Sequence, residues 1–161
     1  MNNKQDLAVK LALQTWDSNV KRMTASFDGL SDEQMHTEIA PGRNRPVYLL
    51  GHMAVVHDMM IPLLGLGERK LQHLDSTFIT SPDKAVSELP SVAELKSAWA
   101  ETNETLNSKF ASLSSDEWFQ RHTNISEEDF AKEPHRNRLS VLNSRANHVS
   151  YHIGQLALVK K

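Results

Sequence analysis

Four segments of this sequence place apolar residues at intervals of three and four, which is the spacing that brings side chains to one face of an α-helix. The segments cover residues 4–27, 45–64, 91–113 and 139–160. No segment shows the strong two-residue alternation of a half-buried strand. Since amphipathic helices bury their apolar faces against one another, the sequence predicts an all-α fold, an antiparallel four-helix bundle without strands.

The connections between these helices carry recognisable start and stop signals. Ser31 to Gln34 and Ser91 to Glu94 have the spacing of a capping box, the first for a short turn and the second for the third long helix. Asn44 is a plausible N-cap for the second helix, ahead of Pro46. Residues 65–90 are long for a hairpin, so we expect a crossover that spans the bundle and contains short helical pieces. Residues 121–138 are polar and predict a loop.

Length and composition narrow the class of protein. A chain of 161 residues fits one domain, and it is long enough to bury a full core without covalent crosslinks. Cysteine is absent, so a metal would have to take nitrogen or oxygen ligands. The formal net charge is -2 and there is no long basic run, which gives no sign of nucleic-acid binding. Without a signal-peptide pattern at the N-terminus, we expect a cytoplasmic protein.

The second predicted helix is the most apolar, and residues 47–67 approach the length of a membrane span. We reject a membrane span because His52, His57 and Asp58 would be costly in lipid, and because an apolar face suits a bundle core. His52 falls on that face, together with Leu49, Val56, Met59 and Leu63. His57 lies about 140° further round the helix, so we expect it, with Asp58, at the margin of the apolar face, hydrogen-bonded or hydrated.

The last helix carries two histidines four residues apart, His148 and His152, which lie one above the other on one helix face. Val141, Gln155 and Val159 share this face, so the imidazoles need buried partners. One alternative is that each histidine only makes a hydrogen bond inside the core. With His52 available on another helix, we favour a metal site instead. His73, His122 and His135 lie in polar connections, where we expect them at the surface.

The residues resemble the DinB/YfiT-like family of metalloenzymes over nearly the whole chain. The resemblance lies in Leu50-Gly51-His52-Met53 and in Asn147-His148 followed by His152 and Gln155 at family spacing. It implies a four-helix bundle with up-down-down-up topology and one divalent metal, often zinc or nickel, held by His52, His148 and His152. Family members with known activity include bacillithiol S-transferases and mycothiol-dependent maleylpyruvate isomerases.

Three histidines with an open fourth position are typical of a catalytic rather than a structural metal site. A metal could deprotonate a small thiol, which this chain cannot supply itself, or it could activate water. No acidic residue sits within the histidine pair as in HExxH peptidases, which argues against peptidase activity.

We therefore expect a transferase that acts on a low-molecular-weight thiol and an electrophilic substrate, although the sequence assigns no catalytic residue. A metal-dependent hydrolase and a non-catalytic metal-binding or ligand-binding stress protein are the alternatives. A homodimer is compatible with this sequence. Arg43 and Arg45 precede the helix of His52 and could meet an anionic substrate; the roles of Asp58 and Gln155 stay open.

Overall fold

The described part of the chain is all-helical. A computed structural model describes residues 3–159, and within them the chain forms eight α-helices and no β-strand. Four helices are long: α1 (Asn3–Asp28), α3 (Pro46–Leu63), α5 (Val92–Ala111) and α8 (Arg138–Leu156). Four are short: α2 (Asp32–His36), α4 (Asp75–Phe78), α6 (Ser115–Trp118) and α7 (Glu127–Lys132). The predicted helical class is therefore confirmed, and the four long helices match the predicted segments.

The long helices enclose one hydrophobic core. Helix α1 packs mainly against α8, and α3 packs mainly against α5, while α3 also contacts α8. Asn19 of α1 is buried and donates hydrogen bonds to the Ala146 carbonyl and the Ser150 hydroxyl of α8, at 2.9 and 2.8 Å. Trp99 of α5 donates to the Thr24 hydroxyl of α1 at 2.8 Å. Polar side chains therefore fix the register of α1 against two neighbouring helices.

Helix α3 is the centre of the bundle. It is buried on nearly all sides, with fourteen of its eighteen residues shielded from solvent, as expected for a helix that is apolar all round. Burial therefore extends well beyond the predicted face, because neighbours cover α3 on nearly all sides. The four residues of α3 that are only half-buried are His52, Met59, Pro62 and Leu63. No helix within residues 3–159 is both long enough and apolar enough to cross a membrane.

The start of α3 differs from the prediction. The N-cap is Arg45 rather than Asn44, and Pro46 occupies the first helical position. A residue that precedes proline is restricted to extended backbone, and Arg45 has φ -80° and ψ 151°. No side chain caps this helix end. Instead the backbone N–H of Arg45 donates to the Asp83 carboxylate at 2.7 Å.

The crossover of residues 64–91 lies back along α3. It contains the expected short pieces, a 3₁₀ turn at Gln72–Leu74 followed by α4. The buried Asp58 carboxylate accepts hydrogen bonds from the backbone N–H groups of Lys70 and Leu71, at 2.8 and 2.9 Å, and from Arg69 Nε at 3.0 Å. Asp58 is thus buried rather than marginal, because it satisfies the backbone at the point where the chain leaves α3.

The remaining caps and ends follow the sequence closely. Both predicted capping boxes form, at Ser31 and Ser91, and a third opens α6 at Ser114. The predicted loop at 121–138 contains α7, a short helix with no buried residue. Helix α8 begins at Arg138, where the Asn137 side chain caps it, and ends at Leu156. Residue 160, the end of the fourth predicted segment, lies outside the described residues.

Candidate metal centre

Three histidines meet between α3 and α8. His52 lies on α3, and His148 and His152 lie one turn apart on α8. Each offers one ring nitrogen, and these three nitrogens all lie within 4.8 Å of one another. The two Nε2 atoms of His148 and His152 are 2.9 Å apart. Among the described residues, this is the one group of three or more histidines or carboxylates arranged closely enough to hold a metal ion.

The crossover orients the ring of His52. Its Nδ1 lies 2.8 Å from the backbone carbonyl oxygen of Phe78. A carbonyl oxygen can only accept, so Nδ1 carries the proton and the lone pair is on Nε2. Phe78 reaches this position because its ring packs against Gly51, the residue before His52, where no side chain intervenes. The short α4 helix therefore determines which nitrogen of His52 faces the other two histidines.

Gln155 orients the ring of His152 in the same way. His152 Nδ1 lies 2.7 Å from the Gln155 amide oxygen, and the Gln155 amide nitrogen donates to the Tyr151 hydroxyl at 3.2 Å. With Nδ1 protonated, Nε2 of His152 keeps its lone pair. A hydrogen bond from the far ring nitrogen to an acceptor is the usual support of a metal-binding histidine, since it fixes the tautomer and raises ligand basicity.

His148 has no such support. Its Nδ1 is buried and has no hydrogen-bond partner within residues 3–159. Its ring is held by edge contacts with the rings of His52 and His152, at centroid distances of 5.3 and 4.5 Å. A buried nitrogen without a partner is rare in proteins and often marks a functional position.

The donor set fits a divalent metal of the zinc type. Two nitrogens bound to a tetrahedral zinc at about 2.0–2.1 Å would lie about 3.4 Å apart. The 2.9 Å separation of the two Nε2 atoms on α8 is shorter by roughly half an ångström, so these two nitrogens would have to move slightly apart to hold zinc. The cluster holds no carboxylate, so its ligands are all neutral.

Burial keeps these imidazoles neutral. It is the main cause that lowers the pKa of His148 to about 4, and the neighbouring His152, His52 and Arg145 lower it further. Burial also lowers the pKa of His52 and of His152 below the usual value of 6.5. Since only a neutral imidazole can bind a metal, the cluster offers three competent ligands at neutral pH.

His57 lies deeper than predicted. It is fully buried rather than marginal, between the rings of Trp16 and Trp99 at centroid distances of 4.6 and 4.7 Å. Its Nδ1 donates to the Asn103 amide oxygen at 2.8 Å, while its Nε2 has no partner in the described chain. Burial lowers the pKa of His57 to about 3. The prediction of a margin position failed because α5 covers this side of α3.

The two arginines predicted near the site differ in their surroundings. Arg45 forms a bidentate ion pair with Asp83, whose side chain is only 4% exposed, with donor–acceptor distances of 2.6 to 3.1 Å. Its guanidinium is therefore engaged in holding the crossover, which contradicts the expectation that it is free for a substrate. Arg43 is exposed in the turn that precedes α3. His73 and His135 are exposed as expected, whereas His122 is half-buried.

Sequence reasoning missed Arg145, the positive charge nearest to the cluster in chain order. It lies on α8, three residues before His148, so the two side chains share a helix face. Its charge lowers the pKa values of His52, His57 and His148, in each case after the larger effect of burial. Its spacing from His148 was the signal that could have identified it.

Comparison with known proteins identifies one family. The family model described as the DinB superfamily matches residues 15–156, which is most of the chain. The match includes all three histidines of the cluster. No curated protein matches the chain.

Proposed function

Because the chain belongs to the DinB superfamily, we propose that it is a metal-dependent transferase that uses a low-molecular-weight thiol, with His52, His148 and His152 as the metal ligands. The observation that carries the proposal is the convergence of three neutral ring nitrogens within 4.8 Å, two of them oriented by acceptors on the opposite ring nitrogen. Zinc or nickel is the expected metal. When bound, it would lower the pKa of a thiol and stabilise the thiolate.

The residues of the chain would supply binding and orientation. The Phe78 carbonyl and the Gln155 amide would keep His52 and His152 in the tautomer that presents Nε2. The chain has no cysteine, so the sulfur must come from a second molecule. In the transfer, the thiolate sulfur forms a bond to the electrophilic carbon, the leaving group departs with its electron pair, and the thiol proton passes to solvent.

We also propose the up-down-down-up order for the four long helices. His57 of α3 donates a hydrogen bond to Asn103 of α5, and further along the chain the Leu66 carbonyl accepts a hydrogen bond from Lys109. Residue numbers therefore increase in the same direction along both segments. Conversely, Trp16 of α1 contacts Phe110, while Thr24 of α1 bonds to Trp99. These contacts support α5 running parallel to α3 and antiparallel to α1. A homodimer and a cytoplasmic location remain predictions.

The test is a paired assay on metal-loaded and chelated protein. An electrophile such as 1-chloro-2,4-dinitrobenzene is supplied with a small thiol, and p-nitrophenyl acetate is supplied without one. The proposal requires that thiol consumption depends on metal and that His148→Ala abolishes it while His135→Ala, at an exposed position, does not. Metal-dependent ester hydrolysis without thiol transfer would instead identify a hydrolase, and inactivity in both assays would favour a binding protein.

A further inference from the structure

Arg145 is a half-buried arginine without a partner. Its guanidinium makes no hydrogen bond and no ion pair with any residue from 3 to 159, and its Nε is buried. Burial lowers its pKa below the usual value, so the surroundings do not favour its charge. An arginine remains protonated in proteins even so. The positive charge is therefore placed where neither solvent nor protein fully compensates it.

The other inward-facing arginines show what is missing. The guanidiniums of Arg45 and Arg69, each less than 20% exposed, are paired with Asp83 and with Asp58 and Asp75. The half-buried Arg138 has no carboxylate partner, but its guanidinium donates to the Glu117 carbonyl at 3.4 Å. Pairing of this kind is the rule, because an uncompensated buried charge is costly. Arg145 is an exception to this rule, and it lies close enough to three histidines for its charge to lower their pKa values. A structural role would call for an acceptor from the chain, a carboxylate or at least a backbone carbonyl, and the described chain supplies none to the guanidinium of Arg145.

The neighbouring cluster makes the charge balance more demanding. The three histidines are neutral, so a divalent metal held by them would keep its full positive charge beside the guanidinium. An anionic ligand with two groups would satisfy both centres at once, with a thiolate near the histidines and a second anionic group on Arg145. A carboxylate suits the planar guanidinium, which can donate two parallel hydrogen bonds to its two oxygens.

We propose that Arg145 is a specificity-determining residue that binds a carboxylate of the thiol substrate, so that the enzyme selects small thiols that carry a carboxylate. This inference rests on the proposed function for the thiol, but the guanidinium would bind a carboxylate whether or not a metal is present. The two proposals can therefore fail separately.

The experiment compares two thiols of similar size on cobalt-loaded protein. 3-Mercaptopropionate carries a carboxylate and 2-mercaptoethanol is neutral, and the sulfur-to-cobalt absorption band reports binding without any turnover. We expect the wild type to prefer 3-mercaptopropionate by about 10- to 100-fold, the range for a charge-assisted bidentate contact. Arg145→Gln should lose this preference and keep its affinity for 2-mercaptoethanol. Arg145→Lys should retain only part of it, because lysine lacks the planar fork.

Arg22→Gln is the matched control, since Arg22 is an exposed arginine within a long helix. It should keep the full preference. Equal preference in Arg145→Gln and the wild type would overturn the proposal. If cobalt fails to bind, the proposed function is what fails, and Arg145 is then tested on metal-free protein. In that arm propionate should raise the melting temperature of the wild type relative to chloride at equal ionic strength, and an equal rise in Arg145→Gln would overturn the proposal.

Discussion

The ring of Phe78 lies so close to Gly51 that a Cβ atom on Gly51 would come within 2.3 Å of two ring carbons. This contact joins the crossover to α3 one residue before His52. The carbonyl of the same Phe78 accepts the hydrogen bond from His52 Nδ1. A single residue in the crossover therefore both closes the packing over α3 and selects the tautomer of one proposed ligand.

Gly51→Ala should damage both stability and metal binding. The added methyl group must displace an aromatic ring that is itself fully buried, and such overpacking costs about 1–3 kcal/mol. The Phe78 carbonyl would shift with the ring, so metal affinity should fall as well. Urea unfolding and titration against a chelating dye measure the two effects. Gly154→Ala is the control, because nothing lies within 4 Å of its added Cβ and alanine favours a helix; similar losses in both variants would contradict the explanation.

Replacing any one of His52, His148 and His152 with alanine should sharply lower the bound metal. Each substitution removes one of three ligands, and two imidazoles alone form a weak site. Elemental analysis of protein purified and reconstituted in parallel gives the stoichiometry. The exposed His73→Ala should retain wild-type metal content. Full occupancy in the His148 and His152 variants would return both residues to a purely structural role.

Gln155→Ala should lower metal affinity by about 10- to 100-fold without preventing folding, the usual effect of removing a partner of a ligand. The substitution removes the acceptor for His152 Nδ1, which is then free to change tautomer. Competition with a chelator of known affinity provides the measurement. Gln155→Glu keeps an acceptor at this position and should keep wild-type affinity or exceed it. If both variants bind as tightly as the wild type, the hydrogen bond has no part in metal binding.

His57 should make the metal-free protein less stable as the pH falls. The pKa of His57 is about 3 in the folded protein and about 6.5, the usual value for histidine, in the unfolded chain. Between pH 3 and pH 6.5 the unfolded chain therefore binds more protons than the folded protein. The contribution of neutral His57 to the free energy of unfolding is fully present above pH 6.5, and it is lost as the pH falls toward 3. Between pH 7 and pH 5 the loss should be about 2 kcal/mol.

The comparison variant for this pH effect is His57→Phe, which keeps a ring between Trp16 and Trp99 but cannot titrate. Its free energy of unfolding should decline by about 2 kcal/mol less than that of the wild type over the same interval. Urea unfolding of chelated protein at pH 7 and pH 5 gives both values. If the free energy of unfolding falls by the same amount in both proteins between pH 7 and pH 5, His57 accepts a proton in the folded state.

Asp58→Ala should destabilise the protein by about 3–5 kcal/mol, because it removes a buried acceptor of three hydrogen bonds and breaks an ion pair with Arg69, whose side chain is only 16% exposed. Asp75 shares Arg69 but is 36% exposed, so Asp75→Ala should cost only about 1 kcal/mol or less. Urea unfolding of the two variants tests the difference. Equal costs would mean that the backbone contacts of Asp58 contribute little.

The sequence predicted the features that depend on local pattern. The four long helices follow from the spacing of apolar residues, and the boxes at Ser31 and Ser91 follow from hydrogen bonds over three residues. The pair His148 and His152 could be placed on one face for the same reason. The convergence with His52 was a hypothesis, based on its place on the apolar face of another predicted helix and on the family resemblance, because no local rule brings α3 to α8.

The features that the sequence did not predict depend on contacts between distant segments. Arg45 was expected to be free, but its partner Asp83 lies in the crossover and no spacing connects the two. His57 was placed at a margin because periodicity describes one helix and not the helices that cover it. The spacing of Arg145 from His148 could have placed it on the same helix face, but the lack of a partner for its guanidinium among residues 3–159 is visible only in the folded chain.

The way in which the crossover lies along α3 also limits where this chain can change in length. Long connections usually tolerate insertions and new chain ends, because they contact little. Here the Tyr48 hydroxyl donates to the Ser81 carbonyl at 2.6 Å, and the neighbouring Phe78 carbonyl accepts from His52. An insertion within residues 78–81 would therefore alter the candidate metal centre, whereas the exposed residues 131–135 make no comparable contact with it. Relatives of this chain should therefore vary in length at the positions of residues 131–135 and keep a constant length at residues 78–81.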